Sequence, residues 1–280
     1  MRFFGYFARF ACFLWVIVLM IIQIMPAYAE SLTNAEEQGK ALRAAAEKGE
    51  IRVVQTFLDL GVDINVMEVG VTPRPGEEIR GWTALMAAAS KGRTPVARLL
   101  LARGADANKE DHQQMGALEW AVIHGHLGCV KLLFDRTTRP HAQGDALVSA
   151  VIFHHPAILK YLLYKGVPVE SQARGSGNTA FVAAAENGCL DCVKLLLQHR
   201  ANIKTSDAHG YTPLMMAAYA RHLAMVKFLL RIGADVNSRD KEGRSAVMWA
   251  EETAPRDNCK KEEQSILRIL KQVGAKEEPL

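Results

Sequence analysis

Apolar positions along this chain fall into two alternating segments that keep coming back. The first is short, rich in alanine and headed by one large apolar residue. The second carries apolar residues at helical spacing and runs into a polar stretch containing glycine. The heading residue is Leu42, Leu85, Leu118, Leu147, Phe181, Leu214 and Val247, at intervals of 43, 33, 29, 34, 33 and 33 residues. A near-fixed period in this range predicts a solenoid of stacked repeats. The expected fold is all-α, with about seven helix-turn-helix units, each completing its core against its neighbours.

The most regular unit runs from Asp207 to Asn237, and each of its parts has a mechanical reason. Gly210 permits the positive φ of a tight turn. Thr212 suits a helix cap and Pro213 the first helical turn, where no amide donor is needed. Ala217 and Ala218 let two helices approach closely, and Val226, Leu229 and Leu230 form the apolar stripe of the second helix. Gly233 ends that helix. The same string recurs as Gly81-Trp82-Thr83-Ala84-Leu85 with Ala88-Ala89, Leu99-Leu100-Leu101 and Gly104-Ala105-Asp106, and again from Gly177 to Ile203.

These residues resemble the ankyrin-repeat family over about residues 36 to 275. The resemblance implies an ankyrin-type solenoid with short β-hairpin loops and repeats near 36–65, 80–110, 113–141, 142–172, 176–207, 209–240 and 242–275. A loop insertion occupies 66–79, and the turn from Thr137 to Gly144 reads as trimmed. A further insertion lies around Pro255 to Lys261. Where the family carries histidine three residues after the cap, this chain has Met86, Glu119, Val148, Val182, Met215 and Met248. The polar network of that histidine is expected to be absent.

Residues 1–29 read as a secretory signal peptide. Arg2 and Arg9 precede a nearly unbroken apolar run from Phe10 to Met25, and Ala27-Tyr28-Ala29 has the small-x-small pattern of a cleavage site. The expected location is the periplasm, with secretion or an uncleaved inner-membrane anchor as alternatives. No membrane span is expected after signal cleavage. Without the two leader arginines the chain has 32 basic against 30 acidic side chains. That balance lacks the concentrated basic field of a nucleic-acid binder, so no nucleic-acid partner is expected.

Four cysteines follow the leader. Cys129 and Cys192 align with apolar residues of the second helices two repeats apart, too far for a mutual disulfide. Cys189 and Cys192 form C-x-x-C at a helix start, which leaves a disulfide or a redox pair open. His124, His126 and Cys129, with His154 and His155 one repeat on, resemble a ligand cluster. However, repeats stacked about 10 Å apart do not converge on one ion. No metal, no cofactor and no catalytic machinery are expected, so the chain reads as a non-enzyme.

In an ankyrin-type frame, Trp120, Ile123, Phe153, Met216, Tyr219 and Trp249 are expected to form an exposed apolar stripe along the concave side. Exposed Trp and Tyr are favoured anchors for partners. His112, His209 and Arg239 are expected on hairpin tips, as a polar rim. The expected function is binding of one protein partner by a monomer. The family resemblance implies a scaffold, inhibitor or immunity-type role, with a factor released to bind a foreign protein as the alternative.

Overall fold

The computed structural model describes residues 35–67, 81–139, 141–252 and 260–274. The expected leader, most of the 66–79 insertion and the segment 253–259 lie outside the described residues. Fourteen α-helices are described, in seven consecutive pairs. These are α1 (Ala35–Lys48) with α2 (Ile51–Asp59), α3 (Ala84–Ser90) with α4 (Thr94–Ala102), and α5 (Ala117–Ile123) with α6 (Leu127–Leu133). They continue as α7 (Ala142–Ile152) with α8 (Pro156–Tyr164), α9 (Ala180–Glu186) with α10 (Leu190–Gln198), α11 (Pro213–Tyr219) with α12 (Leu223–Arg231), and α13 (Ala246–Glu252) with α14 (Lys260–Gln272). Each first helix packs on its own second helix and on the first helices of adjacent repeats, while second helices line up on second helices. All seven heading residues, Leu42 to Val247, are buried, and one continuous core runs from Leu42 to Leu270. The repeats therefore fold as a single unit.

Three of the first helices start where a threonine oxygen caps them. Thr83, Thr179 and Thr212 each accept from the backbone N–H three residues on, at 3.3 Å. The expected loss of the histidine network is partly corrected here. The thioethers of Met86 and Met215 accept from the Thr83 and Thr212 amides at 3.5 and 3.4 Å, and Glu119 Oε2 accepts from the Gly116 amide at 3.1 Å. A long flexible side chain at this position can reach back to the cap, and sulfur serves as a weak acceptor.

Neighbouring repeats are also clasped. In the second, third and fourth repeats the residue capping the second helix reaches back to a carbonyl of the preceding repeat's first helix. Arg93 Nε donates to the Glu47 carbonyl at 3.0 Å, His126 Nε2 to Ser90 at 3.0 Å and His155 Nε2 to Ile123 at 2.9 Å. The rings of His126, His155 and His222 lie against Gly92, Gly125 and Gly188, where a Cβ would meet them at 2.6 to 2.7 Å. The corresponding position before Cys189 is His154, in the same left-handed conformation with φ 58°. A non-glycine residue fits there because no ring follows it in the next repeat.

Among the described residues the hairpins contain no strand, only an antiparallel bridge between Gln172 and Thr179. Three are tight fingers whose ends are joined by a backbone bond: Asp111 N to Met115 O at 2.9 Å, Asp207 N to Tyr211 O at 3.1 Å and Asp240 N to Arg244 O at 3.0 Å. The fourth repeat has no such finger. Its first helix starts four residues early, at Ala142, so the trimmed segment is spent on an extra helical turn.

Candidate binding surface

Two of the fingers are held by an aspartate and an indole nine residues apart. Asp111 Oδ1 accepts the amides of Gln113 and Met115, both at 2.9 Å. Its Oδ2 takes Trp120 Nε1 at 2.8 Å and Trp82 Nε1 at 3.1 Å. Four repeats later the arrangement returns. Asp240 Oδ1 accepts from Glu242 and Arg244 at 2.9 and 2.8 Å, and Oδ2 accepts from Trp249 Nε1 at 2.9 Å and Arg244 Nε at 3.0 Å. Burial works to raise the Asp240 carboxyl, but the bonds from the Arg244 amide, the Trp249 indole and the Arg244 side chain hold it below its ordinary value. Tyr211 packs edge-on to Trp249 with centroids 5.1 Å apart, as Trp82 does to Trp120 at 4.7 Å. The Arg244 guanidinium lies 3.8 Å from the Trp249 ring centroid.

This corrects the expected stripe at three positions. Trp120, Met216 and Trp249 are buried, with relative exposures of 8, 6 and 9%. They sit one turn inside the first helix, where each tryptophan turns its N–H to its own finger's carboxylate. Both indoles are structural struts. The residues at and just beyond the helix ends keep their exposure. Phe153 and Tyr219 are each 44% exposed, Ile152 is exposed beside them, and Ile123 is half-buried. At the tips His112, His209 and Arg239 are exposed. His209 stacks on Tyr211 at 5.4 Å, and Arg239 donates to the Gly243 carbonyl at 2.7 Å. The spacing Asp111–Trp120 and Asp240–Trp249, with 129 residues between the two copies, is the sequence signal that marks these tryptophans as struts.

The missing finger of the fourth repeat leaves a notch in the row, closed by arginines. Arg139 forms a two-pronged pair with the buried carboxylate of Glu119 and reaches Glu110 at 2.6 Å. Burial disfavours charge on Arg139, yet the Glu119 carboxylate beside it holds its pKa above the usual value. The hydrogen bond from Arg139 holds Glu110 below the usual carboxylate range. From the next finger, Arg174 crosses the gap to the Gln114 carbonyl at 2.8 Å and to Glu110 at 3.3 Å. The notch opens on the inner side as a groove of about 390 Å³ lined by Met115, Asp145, Ser149, Ile152 and Arg174 among others.

Cys189 and Cys192 are joined as a disulfide, and the Cys192 amide points at Cys189 Sγ, 3.2 Å away. Cys129 is a buried free thiol, raised by burial and 3.4 Å from Thr94 Oγ1. The histidines that resembled a ligand set are used otherwise: Nε2 of His126 and of His155 are both engaged in the clasps.

A row of stiff fingers beside a concave helical surface defines a repeat scaffold built for contact. The family model for ankyrin repeats (3 copies) matches residues 42–144 and 146–240. The chain belongs to the ankyrin-repeat family. Among curated relatives it is 33% identical over 173 residues to the ankyrin repeat and SAM domain-containing protein 6 of Danio rerio, covering 60% of this chain and 22% of that protein. It is 29% identical over 176 residues to the E3 ubiquitin-protein ligase XBAT33 of Arabidopsis thaliana, covering 62% and 32%. The matched segments thus span a third or less of these relatives. Among solved structures, the human ASB11 ankyrin repeat domain superposes with a TM-score of 0.65 at 23% identity, covering 85% of this chain and 99% of that one. The ankyrin repeat domain of Bcl-3 gives 0.61 at 24%, covering 82% and 97%. Both likenesses concern the fold.

Proposed function

We propose that this protein is an exported scaffold that holds one protein partner against its concave face, without catalysis. The observation that carries the reading is the pairing of exposed Ile152, Phe153 and Tyr219 with fingers locked by the Asp–Trp struts. Apolar anchors then sit beside a rim whose geometry is fixed before binding, which lowers the ordering cost of association. The groove beside the fourth repeat is the natural seat for one partner side chain. Its lining of Met115, Ile152, Asp145 and Arg174 suits an apolar residue flanked by polar groups. The signal-like leader supports export and a periplasmic site of action.

The test is capture from periplasmic extract with residues 30–280, run beside a Phe153→Glu, Tyr219→Glu variant. The reading expects a protein held by the first and lost by the second, with the circular dichroism spectrum unchanged. Equal capture by both would remove the site from the concave face. Recovery of the protein from culture medium rather than periplasm would favour the released-factor alternative.

A further inference from the structure

The second helices turn a chemically different face outward, on the side away from the fingers. Repeat registration puts Arg98, Lys131, Lys160, Lys194, Lys227 and Arg268 in one column, one per repeat from the second to the seventh, and all six are exposed. Among the described side chains of the second helices, with the short 3₁₀ turn Phe134–Arg136 and the C-cap residues, there are twelve Lys and Arg against four Asp and Glu. The first helices reverse this balance: beyond α1, with their C-cap residues counted alike, they carry five acidic residues and one basic, Lys91. Within the column only Lys194 has a carboxylate partner among the described residues, Asp191 at 3.3 Å. Exposed apolar side chains stand on the same helices or just past their ends: Tyr164 at 83%, Leu60 at 64% and Val273 at 54%, with Ile51 and Val53 exposed on α2.

We infer that this outer face docks on an anionic lipid bilayer. Helices packed about 10 Å apart present one cation per repeat in a row, at a spacing set by backbone packing. A row of that kind matches a continuous negative surface, whose potential attracts each nearby Lys or Arg independently. Tyr164 within the row, and the aliphatic side chains at its two ends, select a bilayer over other polyanions, because its interfacial zone accepts aromatic and apolar groups beside charged headgroups. Duplex nucleic acid offers no such zone, and its grooves call for a protruding helix or arm. The face lies opposite the concave surface, so a docked molecule still offers its fingers to a partner.

The experiment is co-sedimentation of residues 30–280 with phosphatidylcholine vesicles containing phosphatidylglycerol, and with phosphatidylcholine vesicles alone. Binding is expected to the anionic vesicles only and to weaken as salt is raised. Lys131→Glu, Lys160→Glu, Lys227→Glu together should reduce partition by at least on the order of a hundredfold, at about fivefold per cation removed. Tyr164→Ala should weaken binding to a degree that salt does not change. The Phe153→Glu, Tyr219→Glu variant should sediment like the parent, which separates this face from the proposed partner site. Equal binding to neutral vesicles would overturn the inference, as would retention by a folded triple-Glu variant. So would binding of an acidic polypeptide or DNA under conditions where anionic vesicles are not bound.

Discussion

A single carboxylate carries most of the organisation of the third repeat's finger. Asp111 satisfies two backbone amides and two indoles at once, so Asp111→Ala removes one acceptor from four donors, among them the buried Trp120 indole. The expected cost is about 3 kcal/mol, read from urea unfolding. Gly125 is constrained twice: its φ is 76°, and a Cβ would meet the His155 ring at 2.6 Å. Gly125→Ala should cost about 2 kcal/mol, whereas a change at exposed His154 should cost little. Burial, the larger influence, holds the His126 imidazole below its ordinary pKa, against the bond to Ser90 that raises it. A depressed folded value means that the unfolded chain binds protons more readily. The stability contributed by neutral His126 is present above pH about 6.5 and is lost as pH falls below it. Asp240 and Glu110, also depressed, add losses of the same sign below about pH 4.5. Unfolding midpoints of the parent and His126→Gln across pH 5 to 8 should therefore differ in slope on the acid side.

At the scale of elements, the notch shows how a deleted turn is compensated. Arg139 pairs with a carboxylate that is only 3% exposed, so Arg139→Met leaves buried Glu119 without its cation and with the Gly116 amide as its remaining partner. The expected loss is about 4 kcal/mol by thermal or urea unfolding, and Glu119→Gln, Arg139→Met together should recover much of it. The period, the Ala-rich first helices and the trimmed fourth turn were all legible in the sequence, because each is local spacing. The concave stripe was legible only in part. Phe153 and Tyr219 lie beside a helix end, where side chains escape packing. Trp120 and Trp249 lie one turn inside, where burial depends on a carboxylate in the finger. The column alone reads those tryptophans as free; the nine-residue step from Asp to Trp, seen twice, reads them as bound.

The whole molecule is a one-dimensional stack whose stability is a sum of repeats and seams. Its seams are unequal. Arg93, His126 and His155 each tie their repeat to the one before, but the fifth repeat offers Cys189, which is bonded instead to Cys192 on its own helix. Hydrogen exchange should therefore find the amides of α8 and α10 opening more readily than those of α4 and α6. Exchange that is uniform along the second helices would contradict that ranking.

The clasp has one more consequence, for the history and redesign of the array. Its two halves belong to different repeats: the ring is encoded in one unit and the glycine that makes room for it in the unit before. What must be inherited together is the joint between neighbours. Duplicating the repeat that begins at Ala142 would set its His155 ring against a copy of His154, a bulky residue where a glycine is required. Duplicating the one that begins at Ala117 would bring Gly125 and His126 together again without a clash. Shuffled libraries built from these units should therefore be cut to keep each glycine with the ring that follows it.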